Sequence, residues 1–455
     1  MRFDFSDIPF NPQSFSDKPM AFCQPEVGRF FATICELVAL ETGPRAAREA
    51  WQSTQTKNLL RHAQKRSLFW RERIAAAQSA GLAGLPALRR ADVRAQVKNE
   101  GALLDATDSI GVFSHSTSGS SGAPLSFFCS EISSLYNQMR SVAQDFIEGR
   151  DLRLNRTVVK YGFRPIKDGL SIQRAASAFG QCSSFFDGGR GRFLLYRQLD
   201  AAQLWTALCK DQPIGCLVLP TNALDMLLQH AGPEVFRRAG VAMISLYGER
   251  LDPQVRSRFA EFGVPIRQTY SCEEVGLIAV ECDRCPDFFH VTTSNVIVET
   301  IDRQSLNAGE APVGNVLLTH LHSYATPFIR YEVGDLATLS ERCPCGHDGP
   351  TLSNIVGRTK DLIKFPDGRL HAFRVRAGDV LAIAPIEEYR IRQTSPTKLV
   401  VEIGGARALT PKETTAFVNM LKEHSDESFS IEIKTVEKIA WGHSVKRLGF
   451  HNEIL

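Results

Sequence analysis

Apolar residues fall into two rhythms along the chain. Between Ala47 and Ala87 they recur at Leu59, Leu60, Ala63, Leu68, Phe69, Ile74 and Ala77, near the 3.6-residue period that lays one helix face on a core. The same rhythm returns from Ile132 to Phe146, with Leu135, Met139, Val142 and Phe146 on one face. Short apolar runs then predict strands at Thr157–Phe163, Gly215–Leu219, Ala242–Leu246 and Pro265–Tyr270, with helices at Ala223–His230 and Asp252–Phe262. Short buried strands separated by helices predict parallel β-α-β layers, an α/β fold. Ligands of such sheets collect beyond the carboxyl ends of strands, and Gly248-Glu249 and Tyr270–Glu274 both fall there.

Further strands are predicted at Asn295–Ile301 and Asn315–His322, joined by a turn with Gly and Pro. Past Gly357-Arg358 the pattern becomes that of a small α+β unit. It has strands near Glu388–Arg392, Lys398–Ile403 and Phe429–Thr435, and a helix at Pro411–His424. The expected organisation is an irregular Pro- and Phe-rich arm over 1–45, a large domain over 46–359 and a small C-terminal domain over 360–455. At 455 residues the chain exceeds one ordinary domain.

Composition changes this picture only at a few points. A formal charge of +3 gives no reason to invoke nucleic acid or a membrane surface as partner. No apolar run is long enough to span a bilayer, and the first residues lack a signal-peptide core, which predicts a cytoplasmic protein. In a reducing compartment the 11 cysteines point to metal binding rather than disulfides.

Two clusters carry candidate chemistry. From Ser114 to Leu125, Gly119 and Gly122 free the backbone while Ser116, Thr117, Ser118, Ser120 and Ser121 supply hydroxyls. Such a loop can cradle phosphate through main-chain N–H groups and hydroxyls. It is neither a Walker loop nor a nucleophile elbow, and taken alone it also fits a plain flexible turn. The second cluster is Cys282-Asp-Arg-Cys285, His290 and Cys343-Pro-Cys345-Gly, the thiolate and imidazole donors of a tetrahedral structural zinc site. Five candidates compete for four positions, Cys285 against Cys282, and buried packing thiols are the alternative.

The serine-glycine loop resembles the phosphate loop of the adenylate-forming acyl- and aryl-CoA synthetases. Gly248-Glu249, Tyr270-Ser-Cys-Glu-Glu274-Val-Gly276, Arg330-Tyr-Glu-Val-Gly-Asp335 and Gly357-Arg-Thr-Lys-Asp361 resemble the later motifs of that superfamily, in order. The branch it most resembles is phenylacetate-CoA ligase and its relatives, and the likeness runs from about Trp51 to the C-terminus. It implies a large domain of layered β-α-β subdomains with a small β-barrel, followed by a mobile α+β domain.

The resemblance further implies an enzyme that activates a carboxylic acid, aromatic or hydrophobic, with ATP and passes the acyl group to CoA. Ser116–Gly122 would take the phosphates and Glu274 the Mg²⁺. Gly248 and Glu249 would lie along the adenine, with Tyr270 at the head of the motif that carries Glu274; Asp335 would accept the ribose hydroxyls and Arg358 support them. Tyr161, Gly162 and Phe163 would line the acyl pocket, Lys360 would be the hinge, and the zinc cluster is also similar to one in some relatives. Taken singly, Asp335 also fits a turn after a strand and Glu274 a helix N-terminus.

Three departures stand out. Ala123 replaces a common lysine, Ser271 a glycine, and Glu273 a serine or threonine. Near the C-terminus Lys446 is the candidate for the lysine that bridges the carboxylate and the α-phosphate, with His443 and Ser444 as alternatives. Transfer to an amine, hydroxyl or carrier-protein thiol, and a non-catalytic nucleotide binder, are the competing functions; a homodimer is left open.

Overall fold

In the stretch Phe30-Phe-Ala-Thr-Ile-Cys-Glu-Leu37, the residues Phe30, Ile34, Leu37 and Glu41 share one helical stripe. The computed structural model indeed has a helix, α1 (Pro25–Thr42), in place of the irregular arm expected up to residue 45. It describes residues 25–77, 81–104, 111–117, 124–161, 170–175, 189–196, 201–210, 213–228, 230–306, 311–358, 362–373, 375, 380, 383–384, 386, 388–404, 407–425, 429–437, 439 and 449–454. Ile34 and Leu37 bury against Met139, Val142 and Ala143. Glu41 then fastens the end of the stripe, accepting from the N–H and hydroxyl of Thr293 and from the N–H of Ser294 at 2.7–3.2 Å.

Helices α2 (Arg45–Arg66) and α3 (Leu68–Ala76) are separated by extended Ser67, whose hydroxyl caps α3 by accepting from the Trp70 N–H. Leu59, Ala63 and Trp70 enter the same core as Phe127, Phe328 and Tyr331. After α4 (Arg90–Glu100), strands β1 (Val112–Ser116) and β2 (Ser126–Ser130) form an antiparallel hairpin that leads into α5 (Glu131–Ile147).

The β-α-β region follows as β3 (Arg156–Tyr161), β4 (Leu170–Ala175), β5 (Gly191–Tyr196), α6 (Ala201–Cys209), β6 (Gly215–Pro220), α7 (Thr221–Leu228), α8 (Pro233–Arg238), β7 (Val241–Tyr247), α9 (Pro253–Glu261) and β8 (Ile266–Cys272). Strands β5, β3, β6, β7 and β8 run parallel, with β4 antiparallel on the edge. Leu217, Leu219, Ile244 and Leu246 on the strands pack against Leu224, Phe236 and Phe259 on the helices.

The ladder then turns antiparallel through β9 (Gly276–Glu281), β10 (Phe288–Val291), β11 (Val296–Gln304), β12 (Val313–His320), β13 (Tyr331–Ser340) and β14 (Thr351–Arg358). The strands expected as a barrel are thus one half of a continuous twelve-stranded sheet, ordered β11-β12-β13-β14-β10-β9-β8-β7-β6-β3-β5-β4. The change from parallel to antiparallel occurs at the β8–β9 turn, which carries Glu273 and Glu274. That turn is where the site is built.

The C-terminal unit has β15 (Leu362–Lys364), β16 (Leu370–Ala372), β17 (Glu388–Ser395), β18 (Lys398–Gly404), α10 (Pro411–His424), β19 (Ser430–Val436) and β20 (Phe450–Asn452). Its four-stranded sheet, β19-β18-β17-β20, packs on Phe417 and Leu421 of α10. A capping box between Thr410 and Glu413, with Pro411 in the first turn, starts that helix. Among the described residues no helix is long and apolar enough to cross a membrane.

Candidate active site

The β1–β2 hairpin delivers the candidate phosphate loop, and its two ends are clasped. Thr117 is buried; its N–H donates to the Leu125 carbonyl and its Oγ1 accepts from the Leu125 N–H, both at 3.0 Å. The same Oγ1 accepts from Arg90 Nη2 at 2.9 Å. Ser116 pairs with Ser126 on the last rung of the hairpin. Ser118, Gly119, Ser120, Ser121 and Gly122 lie outside the described residues.

At the β8–β9 turn two carboxylates are each held by a tyrosine. Tyr270 Oη donates to Asp335 Oδ2 at 2.7 Å, and Tyr331 Oη donates to Glu274 Oε1 at 2.8 Å. Burial first, and Glu274 second, push the Tyr331 phenol far above its ordinary range, so it stays protonated as the donor. Asp335 lies in register with Arg358 across β13 and β14. A third contact joins the turn to the hairpin: His115 Nε2 lies 2.9 Å from Glu273 Oε2.

The strand ends line up. Tyr247 pairs with Thr269 on the last rung between β7 and β8, so Gly248 and Tyr270 follow it side by side at the carboxyl edge. Gly248 takes φ +95°, a conformation that a side chain disfavours. The Glu249 carbonyl accepts from Thr221 Oγ1 at 2.7 Å, which ties the segment to α7. Tyr161 closes β3 beside Tyr196. Its side chain, that of Arg358, and Gly162, Phe163, Lys360 and Lys446 lie outside the described residues.

Elsewhere on the antiparallel half, Cys282, His290, Cys343 and Cys345 bring their ligand atoms within 4.8 Å of one another. Cys282 follows β9, His290 lies on β10, and the other two precede β14, so the neighbouring strands assemble the group. Cys285 stays out of it; instead its backbone N–H and that of Arg284 point at the Cys282 sulfur. The His347 N–H does the same for Cys345 Sγ at 3.4 Å, and Gly346 at φ +93° permits the turn. Burial, helped by His347 and Arg284, lowers His290 to about 4, which leaves a neutral ring able to ligate. Three cysteine sulfurs and a neutral imidazole are a donor set that suits a tetrahedral zinc, with backbone N–H groups aimed at two of the sulfurs.

No protein-family model matches the chain. Over 215 residues it is 26% identical to a phenylacetate-coenzyme A ligase from Thermus thermophilus; the match covers 45% of each chain, less than half of that relative's length. A solved 2-hydroxyisobutyryl-CoA ligase in its postadenylation state, in complex with R3-HIB-AMP, is 17% identical with a TM-score of 0.61 over 91% of this chain and 92% of that one. The fold is that of the adenylate-forming CoA ligases. The same ligase with 2-HIB-AMP and CoA, in its thioesterification state, gives a TM-score of 0.55 at 18% identity over 91% and 92% of the two chains.

Of the candidate residues, Gly248, Tyr270 and Glu274 lie at or just past the ends of β7 and β8, Tyr270 reaches Asp335 on β13, and Thr117 closes the separate β1–β2 hairpin. Three contributors went unnoticed in the sequence. Tyr331 stood inside the quoted Arg330–Asp335 motif without a role. Arg90 belongs to no motif; its one signal is a cation at a helix N-terminus, where the dipole disfavours it. His347 stacks on His290 with ring centroids 4.2 Å apart.

Proposed function

We propose that the protein activates a carboxylic acid, aromatic or hydrophobic, with ATP as an acyl-AMP and then transfers the acyl group to CoA. The observation that carries this reading is the pair of tyrosine-held carboxylates, Glu274 and Asp335, at the edge where β7 and β8 end. The named relatives are CoA ligases, one of them bound to acyl-AMP and CoA, which supports the same substrates here.

Activation joins two anions, so the site must offset charge while holding oxygen in line with phosphorus. An oxygen of the acid attacks the α-phosphorus, a P–O bond forms, and pyrophosphate leaves. Glu274 is the carboxylate for Mg²⁺, which when bound offsets phosphate charge; Tyr331 fixes one oxygen and leaves the other to coordinate. Tyr270 orients Asp335, an acceptor suited to the ribose hydroxyls. Gly248 lets the backbone approach the adenine, and the clasp of Thr117 by Leu125 and Arg90 fixes where the phosphate loop begins and ends. In the second half the CoA thiol attacks the acyl carbonyl and AMP departs.

Cys282, His290, Cys343 and Cys345 are the ligands for one Zn²⁺. Four protein donors close a tetrahedral shell, so the ion is structural rather than catalytic.

Incubation with ATP, magnesium, CoA and an aromatic or aliphatic acid tests the reading. Acid-dependent AMP release matched by loss of free CoA thiol supports it. AMP release without thiol loss moves the acceptor to an amine, hydroxyl or carrier protein, and no acid-dependent AMP refutes it.

A further inference from the structure

Glu273 occupies the residue before the candidate magnesium carboxylate, and His115 lies two residues before Thr117. They are 158 positions apart in sequence, yet His115 Nε2 and Glu273 Oε2 meet at 2.9 Å. An ionised carboxylate can only accept, so Nε2 carries the proton and donates. The imidazole is steered from its other side by Phe127, edge-on with centroids 5.3 Å apart, and Phe127 is itself buried against Phe328. The ring therefore sits between the sheet core and the turn, with little freedom to swing.

We propose that His115 and Glu273 form a positioning pair that fixes the β1–β2 hairpin against the β8–β9 turn, so that the phosphate-binding and cation-binding groups keep a set spacing. Elsewhere the Arg90 clasp on Thr117 links the hairpin to α4, and Phe127 packs edge-on against Phe328. Glu274 is anchored from the opposite side by Tyr331 on β13. The His115–Glu273 bond joins the hairpin directly to the turn that carries Glu274. Both side chains are partly exposed, at 37% and 49%, so the bond adds little to global stability. Its effect falls on binding that needs hairpin and turn at once, namely the magnesium complex of ATP.

The proposal rests on the ATP-dependent reading above, and its test separates the two. Calorimetric titration of wild type, His115→Ala, Glu273→Ala and the double variant with Mg·ATP, and separately with adenosine, forms a double-mutant cycle. Each single variant is expected to weaken Mg·ATP by about fivefold to tenfold, and the double variant by no more than either alone. Adenosine affinity and melting temperature stay at wild-type values, and His115→Gln, which keeps an N–H donor, recovers most of the loss. Additive losses, an equal loss for adenosine, or unchanged Mg·ATP affinity overturn the pair. Wild type that binds Mg·ATP but adenylates no acid overturns the functional reading and leaves the pair to be judged by the cycle. Wild type that binds no Mg·ATP overturns both.

Discussion

Glu274 and Asp335 each have one oxygen committed to a tyrosine hydroxyl, which orients the carboxylate before any ligand arrives. Pre-orientation of this kind avoids reorganisation when charge develops, and loss of one such group typically costs about 100- to 1,000-fold in rate. Glu274→Gln and Asp335→Ala should therefore each lower acyl-adenylate formation by about that factor while the melting temperature holds. A folded variant with near-normal adenylation removes its residue from the site. These two acids were legible because each sits in a short motif. Arg90 and the His115–Glu273 contact were not, because their partners lie 27 and 158 positions away and no local pattern announces them.

Elements show the same divide. The period of apolar residues located α5, α9 and the parallel strands β3, β6, β7 and β8 but not β5, and Pro25 and the flanking phenylalanines masked the stripe that makes α1 a helix. Pairing order was hidden too. β10 lies between β9 and β14, so His290 meets Cys345 across 55 positions, a neighbourhood that strand propensity alone does not encode. The loop before β14 depends on that neighbourhood. Arg48 on α2 donates to the Asp348 carbonyl from outside, and the four metal donors hold it from inside. Protein purified without chelator is expected to carry about one zinc per chain. Cys343→Ser and Cys345→Ser should each lose the ion and melt several degrees lower, since structural zinc contributes directly to folding. Metal-free protein whose variants melt like wild type would return these cysteines to ordinary packing.

At the scale of the whole molecule, the proposed hinge lies just before β15. Leu362 is fully buried with Val313, Leu336 and Val356, and Asn452 Nδ2 donates to its carbonyl at 2.7 Å. Any rotation about the neighbouring Lys360 must remake that apolar contact, so the change in φ and ψ concentrates in few residues. Lys360→Pro, which fixes φ, is expected to spare adenylation and slow thioester formation; equal loss of both counts against the hinge. The parallel β-α-β layers and the order of motifs were readable along the chain, whereas the pairing that joins them and the later strands into one twelve-stranded sheet was not.

The most direct test of the account is acid-dependent exchange of labelled pyrophosphate into ATP, run without CoA over a panel of aromatic, fatty and amino acids. Reversible formation of acyl-AMP predicts exchange with at least one aromatic or hydrophobic acid and none without acid. Protein that binds ATP yet shows no exchange with any of them would contradict an adenylate-forming ligase.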